Sequence, residues 1–261
     1  TPQRTLGNAL QGYQAKVFNS LPLSRKRHPF NKERDMNINS ATSMTMKPYM
    51  LAPDRAPQTT EQVPSDVMTD QQKKEAFAKE FYTREEEPWK GRLVRYSDDT
   101  VKNEMREMTK EQYLTFASME ASIELSNQYS FFCYFKEQIL DARPDLAEKN
   151  FSFTLGDDAE IKILDSGKSL SDDDLKWLTR AINSDVDFKS SVRQGAKLIM
   201  SLVDHDPKNF SGKTNLTLLN FQDIIDLGKV ISDPIDMTEG WMKQVKEHDE
   251  KNRDSLIDTY A

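Results

Sequence analysis

The sequence predicts a mainly α fold: a compact helical domain with one short β-hairpin and a disordered N-terminal arm. Three observations carry this expectation. Apolar residues recur at three- and four-residue steps through most of the chain beyond Thr69. A single segment, 151–164, alternates apolar and polar residues around a Gly-Asp-Asp turn. Residues 1–67 have sparse, unphased apolar positions among frequent Pro, Ser, Thr, Asn and Gln. The expected division is an arm and linker at 1–67 and a helical domain at 68–261.

The arm is basic where the rest of the chain is acidic. Ser24-Arg-Lys-Arg-His28 places Arg25, Lys26 and Arg27 together, and Pro48, Pro53, Pro57 and Pro64 space out a linker behind them. Such a run serves as a targeting, secretion or docking segment, or simply as a solvated tail.

Order is expected to begin at Thr69-Asp-Gln-Gln72, whose side chains have capping-box form. Phe77 and Phe81 share a face of the helix that follows, and Pro88 lies beyond its end. Trp89 to Tyr96 reads as a short extended piece, and Ser97-Asp-Asp99 as a helix start.

Thr109 to Ala142 is the stretch on which a core can form. Thr109 and Gln112 make a second capping box. Leu114, Ala117, Ala121, Leu125, Phe132, Phe135 and Ile139 then follow at helical steps, with one longer step at Gln128. The aromatic run Phe131 to Phe135 would suit a strand in isolation. The unbroken pattern favours helix, and Pro144 closes it.

The hairpin follows, with Phe151, Phe153 and Leu155 expected on one face and Ile161 and Ile163 on the returning strand. A lone hairpin is barely stable in water, so this one is expected against helices, at the edge of the domain. Ser171-Asp-Asp-Asp174 opens another helix. Its acids lack the alternation, Gly and distal Glu of a calcium loop and suit the positive end of the helix dipole. Phe188, Val192, Ala196, Ile199 and Val203 mark the next helix. Leu216 to Ile231 reads as one helix, apolar nearly all round and therefore central. Asp236 starts a last helix with Trp241, Val245, Leu256 and Tyr260 on its stripe. About six or seven helices are expected in all.

Chemistry is sparse in this pattern. Pro207 to Thr214 matches the phosphate-binding loop except at its first position, where Pro207 replaces Gly. Proline lacks the amide such a cradle would use, and a helix-to-helix loop accounts for the segment. Asp204, His205 and Asp206 set an imidazole between two carboxylates and are the candidate catalytic residues, as base or metal ligand. Adjacent residues do not face one another on a helix, so an exposed helix end is the simpler account of them. Cys133 is the one cysteine, which precludes an intramolecular disulfide, and its aromatic neighbours suggest burial. No cofactor and no metal are expected.

The formal net charge of −7 argues against nucleic acid as a partner of the whole chain. No apolar run approaches the roughly 20 residues of a membrane span. The leading expectation is a non-enzymatic protein-interaction module with an N-terminal targeting, secretion or docking arm, its partner another protein. The alternative is a small hydrolase or transferase, including a delivered effector or toxin, with its site near Asp204–Thr214. The expected location is cytoplasmic, or exported without a classical signal.

Overall fold

A computed structural model describes residues 68–96, 104–210 and 214–258, with side chains to residue 251. The expected arm, including Arg25, Lys26 and Arg27, lies outside the described residues. So do the Ser97–Asp99 helix start and Tyr260, while Leu256 is described in backbone only. In chain order the elements are α1 (Asp70–Phe81), β1 (Leu93–Tyr96), β2 (Glu104–Glu107), α2 (Lys110–Ala142), α3 (Pro144–Ala147), β3 (Ser152–Leu155), β4 (Ile161–Leu164), α4 (Asp172–Asn183), α5 (Val186–His205), α6 (Leu218–Ile224), α7 (Leu227–Ile231) and α8 (Met237–Asp258). The fold is mainly α, as the spacing predicts.

The spine is α2, 33 residues and hence about 50 Å long. Both halves of its capping box form: the Thr109 hydroxyl accepts from the Gln112 amide at 3.2 Å, and Gln112 Oε1 accepts from the Thr109 amide at 3.0 Å. Its buried stripe runs through Tyr113, Ala117, Ala121, Leu125, Gln128, Phe132 and Ile139. The aromatic run is helical, and Phe131 and Phe132 meet Phe188 and Phe153 across the core at ring separations of 5.7 and 4.8 Å.

The long step at Gln128 is therefore not a break in the stripe. Gln128 is fully buried, and its Nε2 donates to the Ser191 carbonyl at 3.1 Å. Its Oε1 has no hydrogen-bond partner among the described residues. Opposite it on α5 stands Gly195, where an added Cβ would lie 2.6 Å from Gln128 Nε2. The missing side chain at 195 makes room for the amide. Contacts at Tyr113–Ser201, Gln128–Ser191 and Phe131–Phe188 set α2 and α5 antiparallel, in the most extensive helix pairing of the fold.

The β3–β4 hairpin has the expected antiparallel register, Phe153 opposite Ile163 and Leu155 opposite Ile161. It does not lie at the edge. Phe153, Thr154 and Leu155 are all completely buried, so β3 is covered on both faces. Thr154 Oγ1 donates to the Ile225 carbonyl at 2.5 Å, which meets the hydroxyl's need inside the core. Gly228 of α7 lies so close to β3 that a Cβ there would stand 3.0 Å from the Phe153 amide nitrogen.

Two further expectations are corrected. Leu216–Ile231 is two short helices, not one. The chain turns extended at Ile225 and restarts where Asp226 accepts the Lys229 amide at 2.9 Å as an N-cap. Gln244 of α8 bonds both backbone groups of Asp226, its Oε1 accepting from the amide at 2.7 Å and its Nε2 donating to the carbonyl at 3.2 Å, which also accepts the Val230 amide. A second hairpin also exists, because the extended piece ending at Tyr96 pairs with β2, Leu93 opposite Glu107 and Tyr96 opposite Glu104. The strand Glu104-Met-Arg-Glu107 has no apolar alternation and is exposed throughout. Pairing and Arg106 lying 4.1 Å over the Tyr96 ring hold it, rather than burial.

At the C-terminal side, Trp241 and Val245 of α8 enter the core beside Phe210, Leu216 and Val230. No described helix is long and apolar enough to cross a membrane.

Candidate functional site

The segment Phe81–Arg92 leaves α1, passes over the Tyr113 end of α2 and the His205 end of α5, and roofs a groove between them. The cavity is about 350 Å³ and its floor is Tyr113, Ala117, Ser201 and His205. Three separate stretches supply its lining, so no local motif could announce it.

His205 is 4% exposed and fixed on all sides. Its Nδ1 lies 2.8 Å from the Ser201 carbonyl oxygen, one turn back on α5, and its Nε2 lies 2.7 Å from the Glu85 carbonyl oxygen. Trp89 and Tyr113 pack edge-on against the ring at 5.9 and 6.1 Å. Both nitrogens thus face backbone carbonyls. What His205 does is hook the Phe81–Arg92 segment to the end of α5.

Asp204 and Asp206 point elsewhere. Asp204 Oδ2 accepts the Tyr82 hydroxyl at 2.7 Å. Burial, and then the bond to Asp204, push the Tyr82 phenol well above its usual value. Asp206 closes the next turn, accepting the Lys208 amide at 3.1 Å and the Asn209 side chain at 2.6 Å. The three neighbours serve three separate local tasks.

The segment from Pro207 follows helix α5, where a phosphate loop would follow a strand. Its Lys208 and Asn209 amides are already directed at Asp206. Residues 211–213 lie outside the described residues, and Thr214 donates its hydroxyl to Asp249. A smaller cavity, about 250 Å³, is lined by Tyr82, Arg84, Asp204, Thr214, Asn215, Leu216 and Thr217. Among the described residues no three His, Cys, Asp or Glu side chains gather to hold a metal ion.

The charged groups of the larger groove were not singled out by the sequence. Arg92 lies 5.4 Å over the Tyr113 ring and Lys197 4.8 Å over the Phe81 ring, so each cation rests on an aromatic face. Glu120 is half-buried on the groove's α2 wall. Burial pushes its carboxyl above the ordinary value, Arg92 partly offsets this, and Glu124 adds to it. No side chain among the described residues forms an ion pair with Glu120. Tyr113 and Ser201 share a 2.6 Å hydrogen bond on the floor.

Cys133 is exposed, contrary to the reading from its neighbours. Phe132 takes the inward position and Cys133 falls one step round the helix, beside the exposed Tyr134. No protein-family model, curated protein or solved structure is significantly similar to this chain.

Proposed function

We propose that the chain is a non-enzymatic protein-interaction module that docks a partner protein in the groove beneath Phe81–Arg92. In this reading residues 1–67, with Arg25, Lys26 and Arg27, form a targeting, secretion or docking arm. One observation carries the choice. The residues that would do acid–base chemistry are engaged by the fold: both His205 nitrogens lie against backbone carbonyl oxygens, and Asp204 accepts from Tyr82. The groove still offers aromatic and aliphatic walls with a carboxylate that has no ion-pair partner among the described residues, the mixture through which a surface recognises a polypeptide.

The alternative, a small hydrolase or transferase near Asp204–Thr214, draws on the smaller cavity that Asp204 and Thr214 line. The two readings separate in one experiment. Full-length chain, a Gln194→Trp variant that fills the mouth of the groove, and an Arg25/Lys26/Arg27→Ala variant are used as baits in lysate. The module reading expects a retained partner that Gln194→Trp releases. Undiminished capture by Gln194→Trp refutes the groove as the docking site. Arm-dependent capture would assign docking to the basic run.

A further inference from the structure

We infer that the groove receives a lysine or arginine side chain of the partner polypeptide and that Glu120 is its anchoring carboxylate. This rests on the docking reading above and adds the chemistry of what is docked. A half-buried carboxylate without an ion-pair partner among the described residues is unfavourable for the free protein, since burial removes hydration and Arg92 offsets this only in part. The rise in the Glu120 carboxyl follows from this arrangement, burial being its leading cause. An ammonium or guanidinium entering the groove would supply the missing partner.

The rest of the lining suits such a side chain. Ala117, Leu198 and the Phe81 ring offer apolar surface for an aliphatic stem, which basic side chains bury while keeping the head in a polar setting. Glu85 stands at the rim as a second acid. The two resident cations rest on aromatic rings, and neither forms an ion pair with Glu120. The volume, near the lower end of the roughly 300–1,000 Å³ range of ligand sites, admits one or two side chains rather than a large cofactor.

The test uses full-length protein and four fluorescent pentapeptides, acetyl-Ala-Ala-Xaa-Ala-Ala-amide, with Xaa as lysine, arginine, glutamate or norleucine. Fluorescence anisotropy is expected to show lysine and arginine peptides binding at least tenfold more tightly than the other two. Glu120→Gln should remove that preference while its melting temperature stays equal to or above that of the parent. Equal binding of lysine and norleucine peptides, both lost in Gln194→Trp, would overturn the role of charge and leave the docking groove standing. Preference for glutamate, or no binding by any peptide, would overturn the inference itself. Lysine binding unchanged in Glu120→Gln would remove Glu120 as the anchor.

Discussion

Replacing Gly195 with alanine tests the closest helix contact of the fold. The new Cβ would stand 2.6 Å from Gln128 Nε2, far inside van der Waals contact. Alanine is the better helix former, by about 1 kcal/mol. Against this, overpacking a tight interface costs about 1–3 kcal/mol. Moving the amide away also breaks its bond to the Ser191 carbonyl in a fully buried setting, for roughly another 1–3 kcal/mol. The net expectation is a loss of about 1–5 kcal/mol. At roughly 2–4 °C per kcal/mol for a body of this size, melting falls by about 2–20 °C. Urea denaturation of the parent, Gly195→Ala, Gln128→Ala and the double variant gives the cycle. The double variant should recover part of the loss, because the methyl then enters space the amide has left, with a coupling of about 1 kcal/mol or more. A neutral or stabilising Gly195→Ala, or additivity within about 0.5 kcal/mol, would show that the helices do not approach as described.

His205→Ala should cost about 2–4 kcal/mol by combining a cavity with loss of the ring's tie to the Glu85 carbonyl, and amide exchange should rise through residues 82–92. Unchanged exchange there would mean that the imidazole is not the hook. The Asp174 carboxyl is held down at about 2, first by the Ser171 hydroxyl and then by Arg143. Its folded value is below the unfolded one, so its stabilisation is present above the ordinary carboxylate value and lost as pH falls from about 4 towards 2. The stability gap between the parent and Asp174→Asn should close over that window; a constant gap contradicts the assignment. Glu120 has the opposite sign, since its folded value lies above the ordinary 4.5 and stability falls as pH rises through the interval above it. Glu120→Gln should therefore gain on the parent between about pH 4 and neutrality, and a pH-independent difference would contradict this. Cys133 should react with a thiol reagent in the folded state, and protection until unfolding would show that it is buried.

Much of the fold could be read from local signals. Capping boxes at Thr69, Thr109 and Ser171 occur where the sequence places them, because a cap depends on residues three apart. What escaped reading depended on distant residues. Gln128 interrupts an apolar pattern, and only Gly195, far along the chain, explains how an amide fits there. The break at Ile225–Asp226 is invisible in the apolar run because Thr154, Ser152 and Gln244 take the backbone and side-chain groups that a continuous helix would use differently. The hairpin's alternation gave its register but not the covering of its second face by α7. The second hairpin had no apolar code to read. His205 was visible as a residue but not as a hook, since its acceptor at Glu85 lies 120 positions away. The groove is legible only after three stretches meet.

The placement of Trp241 and Val245 also bears on how the chain is made. These two side chains are buried in the core but belong to α8, the last helix described. On the ribosome, α2 can coil early from local contacts, yet its C-terminal cover does not exist until residue 245 has left the exit tunnel. Until then Phe210, Leu216 and Val230 face water instead of α8. The nascent protein must therefore wait, largely helical and still sticky, for α8 to arrive. This is the interval in which a chaperone would find it.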